Sequence, residues 1–176
     1  MGSTVFHLSS KLAEMGHRVT VITRRAGGNP PVVEGVSVIG VPWAKIPMSF
    51  TRSYGRHALR ELIKINERDN VDVVHLHCPM VSWDDKQFSK CRSKVAPVVS
   101  SMHGTWLGER DGLLLAAKFG EPAVWSNPND IAIRFLAKRY AKFENSAVRN
   151  SAVIVPNSCL LYTSPSPRDA TLSRMP

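Results

Sequence analysis

The chain has 176 residues, 43% of them hydrophobic and 21% charged, and a formal net charge of +9. That length suits one domain with a sizeable core, and no apolar run approaches the roughly 18 residues of a membrane span. No signal peptide is evident, and Cys78, Cys91 and Cys159 lack zinc-site spacing and cannot all pair, which points to a reducing, cytosolic setting.

Val5, Leu8, Leu12 and Met15 recur at spacings of three and four, predicting an amphipathic helix that Gly16 ends. Val19–Ile22 is a β-branched run suited to a buried parallel strand, and Ala26–Pro31 reads as loop. Val36–Val41 is a second strand, and Leu59, Leu62 and Ile63 mark a helix over roughly Thr51–Arg68. Val71–His75 and Pro97–Ser100 are predicted as the third and fourth strands. After a glycine-punctuated stretch, Ile133, Leu136, Tyr140, Phe143 and Ala147 predict a long helix, and Ser151–Val155 a fifth strand. The alternation defines an α/β protein: a Rossmann-like parallel sheet with helices on both faces. Right-handed crossovers bring the carboxyl ends of the strands to one rim, where ligands of such sheets bind.

The residues of that rim carry the chemistry. Thr23, Arg24 and Arg25 follow the Val19–Ile22 strand, and Pro156, Asn157 and Ser158 follow the last one. In Ala96–Trp106, a β-branched run leads through two serines to His103 and Gly104, just past a strand. A histidine there, beside a glycine that admits a ligand closely, is placed to touch substrate; a polar loop residue is the plain alternative. His75 and His77 are alternate residues of an extended segment and point the same way, so both could grip one metal. A metal-dependent hydrolase built on them would need more ligands, and of His7, His17, His57 and His103 only His103 lies on the rim. A polar wall facing an acceptor, or structural histidines with satisfied nitrogens, are the competing readings of the pair.

No GxGxxG or Walker A pattern is present. The basic excess favours an anionic partner: nucleotide, phospholipid surface or nucleic acid. A non-catalytic α/β binding module for nucleic acid remains an alternative, although the helices lack the aromatic-basic interleaving of such proteins. Trp106 and Trp125 suit either sugar stacking or packing. Glu109, Arg110 and Asp111 read either as an acceptor-side loop or as a solvated charged loop, and Lys138, Arg139 and Lys142 as a solvated helix face.

The segments HLSSKLAEMGHRVTVITRR (7–25), VDVVHLH (71–77), PVVSSMHGTW (97–106) and AVIVPNS (152–158) occur in an order and spacing that resembles the amino-terminal domain of family-4 glycosyltransferases. These are retaining enzymes of the glycosyltransferase-B fold. The resemblance implies two Rossmann-like domains closing over a nucleotide-sugar, with no cofactor and no bound metal. The carboxy-terminal domain would supply most nucleotide contacts and a glutamate. The amino-terminal domain would supply the acceptor surface and a histidine that contacts the donor sugar. His103 matches that histidine. Met1-Gly2 matches the end of the family's glycine-rich loop, with Thr4 standing where histidine is frequent. The resemblance also implies that the family's first strand is missing, which would leave a sheet edge exposed, and that the fragment is inactive alone. Gly2 (toward the donor phosphates), His75, His77, Gly104, Thr105, Asn157 and Ser158 are the accompanying substrate-binding candidates, His75 on the acceptor side. The implied partners are a nucleotide-sugar donor and a glycan, lipid or small-molecule acceptor, with no nucleic acid. The implied setting is cytoplasmic, either free or in peripheral contact with the membrane.

Residues 1–158 thus read as a partial acceptor-side domain. Cys159–Pro176 reads differently: CLLYTSPSPRD is the translation of a common transposase sequencing adapter, and Ser173–Pro176 that of its flanking text. This tail lacks any apolar periodicity and is expected to be non-native and to take no fixed place in the fold.

Overall fold

The structure, a computed structural model, describes residues 2–25, 32–121 and 123–156. Met1, the whole of the Ala26–Pro31 loop expectation, Asn157, Ser158 and the Cys159–Pro176 tail lie outside the described residues. In chain order the elements are α1 (Gly2–Glu14), β1 (Val19–Arg24), β2 (Val36–Val41), α2 (Ser49–Arg68), β3 (Val74–Cys78), α3 (Asp85–Lys94), β4 (Val98–Met102), α4 (Trp106–Lys118), α5 (Ala123–Ser126), α6 (Pro128–Asn150) and β5 (Val153–Pro156).

Gly16 stops α1 as the spacing predicts. Its φ of 87° is left-handed, and its N–H and that of His17 reach back to the carbonyls of Ala13 and Leu12, the double bond of a glycine-terminated helix. All strand pairs are parallel, β1 with β2, β3 with β4, and β4 with β5. They form two sheets rather than one continuous sheet, β1-β2 and β3-β4-β5. Helix α2 joins the two: its Tyr54 hydroxyl donates to the Ile22 carbonyl of β1 at 2.6 Å, while Leu59 and Leu62 enter the core under β3 and β4.

That core is built by one face of the three-stranded sheet. Val74, Leu76, Cys78, Val98 and Met102 alternate along β3 and β4 and pack with Trp83, Phe88 and Cys91, as the two-residue strand period requires. Trp83 seats against α2 at Gly55, donating its indole N–H to the Gly55 carbonyl at 2.7 Å. A Cβ at Gly55 would stand 3.0 Å from the Trp83 ring. A second cluster, Met48, Trp106, Ile133, Ala137 and Tyr140, ties α4 and α6 together.

Two further sequence expectations shift. The third strand begins at Val74, not Val71, because the Val71 N–H is taken by the Asn66 side chain at 2.8 Å and the ladder starts where Val74 N–H meets the Pro97 carbonyl. The strand then runs on through Cys78. Glu109, Arg110 and Asp111 belong to helix α4 rather than to a loop. Helix α3 carries few apolar residues but opens with a reciprocal cap between Asp84 and Gln87. Among the described residues, no helix is long and apolar enough to cross a membrane.

Candidate active site at the carboxyl rim

The shift of β3 by three residues places His75 and His77 inside the strand, and His103 lies one residue beyond β4. Register aligns His77 with Ser101 and His75 with Val99, so all four share the sheet face opposite the hydrophobic core. The three imidazoles form a row. His75 and His77 stack with centroids 4.6 Å apart, and His77 and His103 with centroids 5.1 Å apart. His77 Nδ1 lies 2.8 Å from His103 Nε2, and His75 Nε2 lies 2.8 Å from Ser101 Oγ. The backbone fixes the row's far end, since His103 N–H donates to the Cys78 carbonyl at 3.0 Å.

The row favours neutral rings. Burial lowers the pKa of His77 to about 4, helped by the neighbouring His75 and His103 rings. Burial also lowers His75, with a further push from His103, and it lowers His103. The contact itself agrees: with one N–H between two facing nitrogens, one ring donates and the other accepts. Charging both rings would set two N–H groups against each other. At neutral pH the rim therefore presents uncharged imidazoles, suited to hydrogen-bonding hydroxyl groups. His75 Nε2 is engaged by Ser101, and His77 Nδ1 and His103 Nε2 by each other. Among the described residues there is no group of three His, Cys, Asp or Glu able to hold a metal ion.

The other candidates have varied roles. Thr105 is the N-cap of α4, its hydroxyl accepting from Gly108 N–H at 3.0 Å. A Cβ added at Gly104 would come into ordinary van der Waals contact with a Glu109 carboxylate oxygen at 3.6 Å. Gly2 opens α1 and is exposed. Trp106 is buried at 4% exposure and packs edge-on to Tyr140. Trp125 stays 60% exposed, with the Arg134 guanidinium 3.7 Å from its ring centroid. Lys138, Arg139 and Lys142 are exposed, as their solvated-face reading requires. Cys78 and Cys91 are free, and burial pushes the Cys78 thiol up to about 12, so it is not a nucleophile at neutral pH.

Two partners escaped the sequence. Ser101 is one, visible only once β3 and β4 are in register. Glu144 is the other, its carboxylate accepting Trp106 N–H at 2.6 Å. Its position four residues after Tyr140 and three before Ala147 was a signal, since it places an acid on the apolar stripe of α6.

A parallel α/β unit with a polar, ring-lined surface at the carboxyl ends of its strands has the Rossmann-like architecture, in which that rim is where ligands generally bind. The profile of Glycosyltransferase Family 4 matches residues 1–159, and the chain belongs to that family. Comparison with curated proteins and with solved structures gives no match.

Proposed function

We propose that this domain forms the acceptor-side wall of a retaining glycosyltransferase that moves a sugar, a hexose in the simplest case, from a nucleotide-sugar to a glycan, lipid or small-molecule acceptor. The observation that carries the reading is the His77–His103 contact, which holds a neutral imidazole just beyond β4. From there His103 would orient the donor sugar and steady charge that develops as the glycosidic bond breaks, through a hydrogen bond that strengthens in the transition state. The lack of a side chain at Gly104 supports close approach of a ligand beside it. His75, farther back along β3 and exposed, suits contact with the acceptor. We place the activity in the cytoplasm, against the membrane surface; the net charge of +9 and the free, buried cysteines support that setting.

The test is transfer from a panel of nucleotide-sugars by an enzyme of the family carrying this domain, with the product's anomeric configuration read by proton NMR. Transfer with retention is expected. An inverted product, or hydrolysis that depends on added zinc or iron, would overturn the reading.

A further inference from the structure

We propose that Glu144 is a positioning residue for the His103 loop, holding the start of α4 from beneath so that His103 keeps its place on the rim. The inference rests on the glycosyltransferase reading of that rim. His103 is tied to β3 through its backbone N–H on the Cys78 carbonyl. Three residues later, Trp106 N–H is tied to the Glu144 carboxylate of α6 at 2.6 Å. Only Gly104 and Thr105 lie between these anchors, so a shift at Trp106 is passed to His103 with little slack.

The first amides of a helix lack partners within it. Here Thr105 satisfies Gly108 N–H and, through its carbonyl, Glu109 N–H, while Glu144 satisfies Trp106 N–H. A carboxylate at that end also meets the positive end of the helix dipole. The residue is 7% exposed, a burial that an acid keeps only when bonded. Packing does not explain the acid, because its neighbours on the stripe, Tyr140 and Ala147, belong to the buried face with no such need.

The carboxyl group also supplies a reporter. Burial raises its pKa to about 7, the Trp106 N–H pulling it partly back. Cys78 on β3 is the titratable neighbour that senses it, and that thiol stays protonated across the neutral range at about 12. His103, three residues before Trp106, is lowered by burial and titrates below its ordinary 6.5, so a titration at Trp106 that Glu144→Gln removes is that of Glu144.

The experiment has two arms. In the first, the amide signal of Trp106 and the ring signals of His77 and His103 are followed by nitrogen-proton NMR in this chain from pH 5.5 to 8.5. The Trp106 amide is expected to move with a midpoint near 7. Glu144→Gln should abolish that midpoint yet keep the His77–His103 ring signals. Glu144→Ala should shift both ring signals. If the Ala variant fails to fold, the Gln variant decides alone. A Trp106 amide indifferent to pH and to Glu144→Gln, or ring signals unchanged in a folded Ala variant, would overturn the proposal. In the second arm, sugar transfer by the family enzyme should lose on the order of tenfold to a hundredfold in kcat with Ala, with KM little changed and partial rescue by Gln. Equal losses in Ala and Gln, or a change confined to KM, would count against positioning. If the first arm succeeds and wild-type protein transfers no sugar from any donor, the functional reading fails while the anchoring of the loop stands.

Discussion

The two faces of the β3–β4–β5 sheet are made of the same ten or so alternating residues and behave oppositely. Toward the helices stand Val74, Leu76, Cys78, Val98, Ser100 and Met102, all buried. Even the polar member is satisfied, Ser100 Oγ lying 2.7 Å from Ser151 Oγ. On the other side stand His75, His77, Val99 and Ser101, with Val153 beside them at 52% exposure. One face holds the fold together through dispersion and apolar burial. The other spends its positions on imidazoles held neutral by one another and by partial burial. The lesson is that stability and chemistry are separated by one residue of register, so substitutions one position apart should have different consequences.

The largest effect is expected on the core face. Leu76→Ala removes a side chain packed in the main cluster and should cost about 2–5 kcal/mol, read as a fall in the denaturant midpoint. A change below about 1 kcal/mol would mean that this face is not the load-carrying core. Gly55→Ala comes next. The new methyl group would press on Trp83 at 3.0 Å, and overpacking of this kind costs about 1–3 kcal/mol. Thermal unfolding measures it, and an unchanged Tm would show that Trp83 can yield.

The histidine face should reveal itself through pH instead. Because His77 is lowered from 6.5 to about 4 in the folded protein, its neutral-state contribution is complete above pH 6.5 and is lost as pH falls toward 4. Glu144 has the opposite sign: raised from 4.5 to about 7, it favours the fold most below pH 4.5 and progressively less as pH rises to 7. His77→Gln should therefore flatten the acid-side loss of stability between pH 6.5 and 4, as followed by denaturation at a series of pH values. An unaltered slope would contradict the neutral row. The smallest effect is expected from Val153→Thr on this exposed face, within about 0.5 kcal/mol of wild type; a loss near that of Leu76→Ala would erase the contrast between faces.

Much of this arrangement was legible in the chain. The order of the five strands and of helices α1, α2 and α6, the parallel pairing, the Gly16 stop and the place of His103 past a β-branched run all follow from periodicity and turn chemistry. The start of β3 was not legible, because the Asn66 side chain competes with the ladder for Val71 N–H, and nothing in VDVVHLH signals that capture. Helix α3 hid behind a polar sequence with only Phe88 and Cys91 buried; its Asp84-x-x-Gln87 cap was the available clue. Helix α4 hid because Leu114 and Leu115 face outward beside inward-packed Leu113, which blurs a three-four stripe. The partners of the histidines were unreadable for a different reason. They depend on register between strands more than twenty residues apart, which local pattern does not encode. The division into two sheets is likewise a long-range property.

The central claim is that His103, held by His77 at the rim, serves the chemistry and not the fold. Steady-state sugar transfer by His103→Ala, in an enzyme of the family carrying this domain, tests it most directly, with Tm as the folding control. Loss of a hydrogen bond made mainly in the transition state is worth about 3 kcal/mol, so turnover should fall on the order of a hundredfold while Tm stays within a few degrees of wild type. Turnover equal to wild type would contradict the account and leave His103 as part of the fold alone.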